Sequence, residues 1–257
     1  MRIAVVDSFT ETPFSGNPAG VVLLDAPAPD AWMQSVAAEM KHAETAFVVL
    51  DGTEPKPLRW FTPATEVDLC GHATLASAHV LGGTQRFSTR SGELTCTDEG
   101  GGWIGMDFPA NPADRAEPPD GLIAALPGVT VTETAPSRSD LLVRLATAGE
   151  VRDVAPDLAA VAQLPFRAVV VTAPGDRPGV DFVSRFFAPG AGIPEDPVTG
   201  SAHCLLAPYW AAELGRDGEL VGEQASPRGG FVRATPRGDR VALRGRAVTV
   251  LEGDLRV

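Results

Sequence analysis

Two segments of the chain share one pattern of residues that could bind a small anion. Residues 61–73 (FTPATEVDLCGHA) and 187–202 (FAPGAGIPEDPVTGSA) each run from a predicted strand through F-x-P and an acidic loop to a glycine. Gly71 and Gly200 stand where an amphipathic helix is predicted to begin. The first turn of a helix offers backbone N–H groups without partners and the positive end of the dipole. We therefore expect these helix starts to bind a carboxylate or an enolate-like oxygen, with contributions from Gly71, Ala73, Thr199 and Gly200.

Titratable and hydroxyl side chains flank both glycines. His72 follows the first, where a positive helix end favours the neutral imidazole and suits a proton relay or a hydrogen-bond donor. Asp196 could receive a substrate ammonium, and Ser201 places a hydroxyl at the second helix start. The alternatives are a structural histidine and plain N-capping by Asp, Thr and Ser. Because the pattern occurs twice, the functional interpretation is favoured.

Composition excludes several classes of function. The chain has 257 residues and a net charge of -12, which would repel nucleic-acid phosphates and anionic membranes. The four histidines show no metal-ligand spacing, so no metal site is predicted. Three cysteines without a CxxC pair indicate reduced thiols, and neither a signal peptide nor a membrane span is expected. We expect a cytoplasmic protein that acts on a small molecule and has no nucleic-acid or membrane partner.

The order of predicted elements indicates an α+β architecture in two lobes. Strands are expected at residues 3–6, 20–24, 46–50, 58–61, 141–146, 167–172 and 181–187, with a terminal pair across 241–257. Asp30 is expected to cap a helix over residues 31–40, and Glu44 to lie between that helix and the next strand. The proline-rich residues 109–119 predict a linker between an N-terminal lobe, 1–112, and a C-terminal lobe, 113–257, whose last strand could return to the first lobe. The repeat predicts that a pseudo-twofold axis relates the lobes, with the ligand between them.

Several motifs in the same order resemble the PhzF-like family of phenazine-biosynthesis isomerases. They are VDSFT at 6–10 with GNPA at 16–19, ETAFV at 44–48, LRWFTP at 58–63, LCGHATL at 69–75 and EDPVTGSA at 195–202. The resemblance spans nearly the whole chain and implies the diaminopimelate-epimerase fold. In that fold each of two lobes is a curved, mostly antiparallel sheet around a central helix.

The resemblance also implies a chemistry, which is a cofactor-free isomerisation of a small unsaturated carboxylated metabolite by one glutamate. Carried over motif by motif, the catalytic residues would be Glu44, His72, Asp196 and Ser201. Gly71 and Gly200 would give amides to the substrate carboxylate, Asn17 would be a further binding residue, and the protein would be a homodimer. The chain departs from the family at Ala43, where serine is frequent, and in its short length, so the substrate stays open.

Two other functions remain open at this stage. An amino-acid racemase of this architecture uses one thiol from each repeat on opposite faces of a carbon. Cys70 occupies the first such place, but Thr199 occupies the second. An alcohol does not ionise readily near neutral pH, so it cannot replace a thiolate as a base. Cys70 is then predicted to be a packing residue, and Cys204 to face the core. The third possibility is a catalytically idle binding protein of the same fold.

Overall fold

The computed structural model describes residues 1–256 as an α+β protein, rich in strands. The helices are α1 (Asp30–Met40), α2 (Gly71–Leu81), α3 (Leu122–Ala125), α4 (Ala148–Asp153), α5 (Leu158–Val161) and α6 (Gly200–Leu214). The strands of the first half are β1 (Arg2–Ser8), β2 (Asn17–Leu24), β3 (Glu44–Val49), β4 (Lys56–Phe61), β5 (Glu66–Val67), β6 (Gln85–Thr89), β7 (Gly92–Asp98) and β8 (Ile104–Pro109). Those of the second half are β9 (Val131–Pro136), β10 (Asp140–Leu145), β11 (Ala168–Pro174), β12 (Phe182–Ala188), β13 (Ile193–Asp196), β14 (Leu220–Gln224), β15 (Gly230–Arg237), β16 (Arg240–Gly245) and β17 (Ala247–Asp254). Among residues 1–256, no helix has the length and apolar character needed to cross a membrane.

The chain divides into two compact units. The first contains Met1–Asp107 and the residues from Arg244 onward, and the second contains Phe108–Leu243. The sequence prediction had placed the division after residue 112 and allowed the last strand to return to the first lobe. In the structure β17 pairs antiparallel with β1, within the first unit.

In the first unit the strands are joined in the order β17-β1-β2-β3-β4-β6-β7-β8. The β2–β3 and β4–β6 pairs are parallel and the others antiparallel, while β5 pairs with the end of β4. Helix α2 packs against β1, β2, β3, β7 and β17, and its residues from His72 to Ala78 are buried. A separate apolar cluster joins α1 to this sheet through Met33, Val36 and Phe47. The start of α2 is therefore set within a closely packed core.

The second unit contains the same sequence of pairings. Its strands are joined in the order β9-β10-β11-β12-β14-β15, with parallel pairs β10–β11 and β12–β14 and with β13 on β12. Alternate residues of β10 face opposite sides of this sheet. Leu141 and Val143 pack with α3, α4 and α5, whereas Leu142 packs with α6. Helix α6 thus takes the place that α2 takes in the first unit. The internal repeat inferred from the sequence therefore corresponds to two units with the same order of strand pairings and a matching helix.

Two sequence expectations about the region around α1 were wrong. Pro29 is the N-cap of α1, and Asp30 is the first helical residue and makes no capping bond. The Asp30 carboxylate instead accepts a hydrogen bond from Arg59 at 2.6 Å, and an acidic residue in the first turn suits the helix dipole. Glu44 does not precede its strand. It is the first residue of β3, because the parallel ladder with β2 begins at the Ala19–Glu44 pair.

The proline-rich residues 109–119 are not a linker between the units. They lie within the second unit, and the backbone N–H groups of Ala110, Asn111, Asp114 and Ala116 donate to carbonyls of that same unit. Proline limits regular structure here without preventing these bonds. The predicted strands are present with shifted ends, and the short helices α3, α4 and α5 were not predicted.

One glycine in the second unit allows a strand to pass close to α6. A Cβ added at Gly222 would lie 2.5 Å from ring carbons of Phe182 and 2.8 Å from Nε2 of His203. Both rings are fully buried and cannot move aside. We expect Gly222→Ala to lower the free energy of unfolding by about 1–3 kcal/mol in chemical denaturation. The control is Gly218→Ala, where the added Cβ meets no heavy atom within 4 Å; equal stability of the two variants would contradict the packing described.

Candidate active site

In the first unit, the predicted site residues Glu44 and His72 lie next to Cys70 at the start of α2. Glu44 begins β3 and is 9% exposed, and His72 is the second residue of α2 and is 5% exposed. His72 Nε2 lies 3.4 Å from Oε2 of Glu44, an electrostatic contact outside hydrogen-bond geometry. The other ring nitrogen, His72 Nδ1, lies 3.4 Å from Sγ of Cys70. The structure therefore brings Glu44 and His72 together and adds Cys70 to them.

His72 is a neutral imidazole in this setting. Burial lowers its pKa to about 3, and the neighbouring His42 adds to the effect. The positive end of α2 acts in the same direction. At neutral pH the ring has one N–H donor and one nitrogen acceptor, as the sequence analysis expected of a histidine at this position.

Backbone contacts hold this helix start in place. Cys70 has an extended backbone at the N-cap and makes no side-chain cap, so Gly71, His72 and Ala73 present their N–H groups without a side-chain acceptor from the cap residue. Ser8 Oγ donates to the carbonyl of His72 at 2.8 Å. Asn17 is buried at the first position of β2 and pairs with Ser8 in the ladder. Asn17 is therefore the strand-pairing partner of Ser8, whose side chain supports His72.

In the second unit, the predicted residues form another contact group at the start of α6. The hydroxyl of Thr199 donates to Oδ2 of Asp196 at 2.5 Å instead of capping the helix. Gln224, fully buried, accepts from the N–H of Thr199 at 2.8 Å and donates to the carbonyl of Asp196 at 2.7 Å. The N-capping alternative is therefore wrong for Thr199, and Gln224 is a supporting residue that the sequence analysis missed.

Arg167 is a second residue that the sequence analysis missed. Its guanidinium donates to Oγ of Ser201 at 3.3 Å and forms a two-bond ion pair with the fully buried Asp140, at 2.7 and 2.8 Å. Hydrogen bonding to Asp140 is the largest cause that raises the pKa of Arg167. Arg167 directly precedes β11, as Ala43 directly precedes β3, so the internal repeat was the signal that could have identified it. A fixed cation thus stands beside the exposed hydroxyl of Ser201.

The cysteines differ in what they contact. All three are buried thiols. Cys204 is 5% exposed, as predicted for a core position, and its Sγ lies 3.6 Å from the carbonyl of Gly200. Cys70 is more than the packing residue that the sequence suggested, because its sulfur contacts a ring nitrogen of His72.

Glu44, Cys70 and His72 each offer one possible metal ligand, and these atoms lie within 4.8 Å of one another. Carboxylate, thiolate and imidazole are groups that zinc accepts. The two short contacts of His72 use different ring nitrogens, so no single imidazole nitrogen is the nearest neighbour of both the carboxylate and the sulfur. The absence of a metal here stays a prediction.

The fold class follows from comparison with solved structures. A probable proline racemase from Agrobacterium radiobacter shares the fold, with a TM-score of 0.61 at 10% identity over 100% of this chain and 93% of that one. A PhzF-family phenazine biosynthesis protein from Enterococcus faecalis has a TM-score of 0.94 and 40% identity, covering 100% of this chain and 99% of that one. The expected diaminopimelate-epimerase-like fold is confirmed.

Sequence comparison gives the family. The model of the family described as phenazine biosynthesis-like protein matches residues 6–253. A protein of Halalkalibacterium halodurans named as an isomerase is 44% identical over 264 residues, which cover 98% of this chain and 97% of the relative. The chain belongs to the phenazine biosynthesis-like (PhzF) family and is an isomerase.

Proposed function

We propose that the protein moves a proton within a small unsaturated carboxylated metabolite, without a cofactor, using Glu44 as the single acid and base. The observation that carries this proposal is the placement of Glu44. Its buried carboxylate lies 3.4 Å from a neutral histidine at the start of α2. A carboxylate held in a fixed place beside the reacting carbon can act as a general base and, once protonated, as a general acid.

In the proposed reaction, Glu44 takes a proton from an allylic carbon of the substrate. The electron pair of that C–H bond forms a new π bond to the neighbouring carbon, and the π electrons of the original double bond move to its far carbon, with the negative charge shared by any conjugated oxygen. The Glu44 carboxylic acid then returns the proton to the other end of the allylic system. The proton count of the enzyme is unchanged, and the double bond has moved. The backbone N–H groups of Gly71 and Ala73 would stabilise an oxygen on which charge develops.

In the second unit we propose binding roles for the residues around α6. The Asp196 carboxylate would receive a substrate ammonium, with its orientation fixed by Thr199. The amide of Gly200, the hydroxyl of Ser201 and the guanidinium of Arg167 would bind a carboxylate. The ion pair between Arg167 and the buried Asp140 supports this role, because it fixes the guanidinium in one orientation.

The test is an isomerisation screen in deuterated water. The protein is incubated with a panel of small β,γ-unsaturated carboxylic acids and cyclic unsaturated amino acids, and the products are followed by proton NMR. We expect at least one member to show migration of its double bond, with deuterium at the newly saturated carbon only to the extent that the Glu44 carboxylic acid exchanges with solvent before it returns the proton. The same protein treated with a chelator should be equally active, since no metal takes part in the proposed step. Loss of activity after chelation would contradict the cofactor-free mechanism.

We expect no racemisation of amino acids. The second repeat has Thr199 where a racemase of this architecture would need a second thiol, and the Thr199 hydroxyl is already bonded to Asp196. The measurement is optical rotation and α-hydrogen exchange of diaminopimelate, proline and a panel of L-amino acids in deuterated water. Exchange together with loss of rotation, abolished in Cys70→Ala, would favour the epimerase alternative.

The proposal also includes the homodimer that the family resemblance implied and the cytoplasmic location that the unpaired cysteines of the sequence indicated. Sedimentation equilibrium of the purified protein tests the first part. A mass of one chain at all concentrations would contradict it.

A further inference from the structure

The imidazole of His72 has a different chemical group at each ring nitrogen. Nδ1 lies 3.4 Å from the sulfur of Cys70, and Nε2 lies 3.4 Å from a carboxylate oxygen of Glu44. A neutral imidazole carries its proton on one nitrogen only, so one of these contacts has an N–H donor and the other a lone pair. The identity of the two neighbours decides between the two tautomers.

A carboxylate can only accept a hydrogen bond, whereas a thiol can donate one. With the proton on Nε2, the partial positive charge of the N–H group lies next to the Glu44 carboxylate, although outside hydrogen-bond geometry, and the Cys70 S–H can donate to Nδ1. With the proton on Nδ1, the lone pair of Nε2 would face the carboxylate oxygen, and two acceptors would repel each other. Both contacts are favourable in the first tautomer.

The backbone of Cys70 is held in position by hydrogen bonds. The carbonyl of Cys70 accepts from the backbone N–H of Thr74 at 3.2 Å and from its hydroxyl at 2.5 Å, and Cys70 is 6% exposed. The corresponding residue of the second repeat, Thr199, also uses its side chain as a donor to a proposed site residue, Asp196. In both repeats the residue before the helix glycine thus contacts a residue of the site.

We propose that Cys70 is a positioning residue, whose thiol donates a hydrogen bond to Nδ1 of His72 and so holds the imidazole with its N–H at Nε2, the ring nitrogen that lies 3.4 Å from the Glu44 carboxylate. The proposal rests on the function proposed above for Glu44. The partial positive charge of the ring N–H stabilises the neighbouring carboxylate in its position, and this effect is weakened when the thiol no longer fixes the ring. Cys70 itself does not contact the reacting atoms in this account.

The first experiment reads the tautomer of His72 without substrate. Long-range proton–nitrogen NMR at neutral pH distinguishes protonated from non-protonated ring nitrogens. The chain has four histidines, and His72→Asn identifies the signals of His72. We expect protonation at Nε2. In Cys70→Ala the Nδ1 resonance should move downfield, as for a nitrogen that has lost a hydrogen-bond donor, and Cys70→Ser should restore it toward its original position.

The matched control is Cys96→Ala, which removes another buried thiol of the first unit, on β7, and should leave the His72 signals unchanged. A His72 protonated at Nδ1, or an Nδ1 resonance that does not move downfield in Cys70→Ala, would overturn the proposal. These outcomes need no turnover, so they stand apart from a failure of the proposed function.

The second experiment uses a substrate from the isomerisation screen. We expect Cys70→Ala to lower kcat about tenfold or more with a smaller change in KM, and Cys70→Ser to recover most of kcat. A kcat in Cys70→Ala equal to that of the original protein would contradict the positioning role, even if Glu44 proves essential. Equal losses in Cys70→Ala and Cys70→Ser would contradict it as well.

Discussion

Glu44→Gln is expected to reduce kcat by a factor of about 10²–10⁴, which is the usual contribution of a positioned acid or base. Glutamine keeps the shape of the side chain and can still approach His72, but it does not exchange a proton at neutral pH. Because binding of the substrate is assigned to other groups, KM should change far less than kcat. The measurement is steady-state kinetics on the substrate found in the isomerisation screen.

The matched control for this variant is Glu39→Gln. Glu39 is exposed on α1, a few residues before Glu44, and its substitution makes the same chemical change without touching the site. Its kcat should stay within about twofold of the original. Turnover of Glu44→Gln within a factor of ten of the original protein would eliminate Glu44 as the acid and base.

Stability is expected to fall steeply as the pH falls below about 6.5. Burial lowers the pKa of His72 to about 3 and that of His203 to about 4. In this pH range the unfolded chain binds protons at both histidines and the folded protein does not, so acid favours unfolding. Each histidine contributes up to about 1.4 kcal/mol of lost stability per pH unit between pH 6.5 and its folded pKa, and the loss is fully reversed above pH 6.5.

Chemical denaturation at several pH values between 7 and 4.5 measures this effect, and His203→Asn separates it from the titration of carboxylates. His203 Nδ1 contacts the carbonyl of Thr199 at 2.8 Å, and an asparagine amide can donate there in its place. The variant should lose stability with falling pH less steeply than the original protein, by about 1.4 kcal/mol per pH unit. Parallel curves for the two proteins would contradict the assignment of a neutral, buried His203.

The sequence was sufficient to predict the repeat and both helix starts, because these depend on local rules. A glycine after an acidic loop and before an apolar helix marks the same place twice, and α2 and α6 begin at Gly71 and Gly200. Where a strand begins depends on its partner strand as well as on the local sequence. Glu44 belongs to β3 because β2 offers a partner at Ala19, and the sequence does not show which residues pair.

The residues that the sequence missed act through contacts between distant segments. The repeat marks the position of Arg167 before β11, but the sequence does not show its ion pair with Asp140 or its bond to Ser201. Gln224 reaches Asp196 and Thr199 from a strand that follows them by more than twenty residues. Cys70 lies close to His72 in sequence, but its contact depends on the direction of two side chains at the N-cap of α2. Spacing predicts faces and helix starts, and it does not predict such side-chain pairs.

The central claim is that one carboxylate both removes and returns the proton, and the stereochemistry of the reaction tests it most directly. A substrate that carries deuterium at the allylic carbon is isomerised in ordinary water, and coupling constants and nuclear Overhauser effects show on which face of the newly saturated carbon the transferred deuterium lies. A single carboxylate serves one face of the substrate, so we predict that deuterium is delivered to the face from which it was removed. Deuterium on the opposite face would require a second base and would contradict the account.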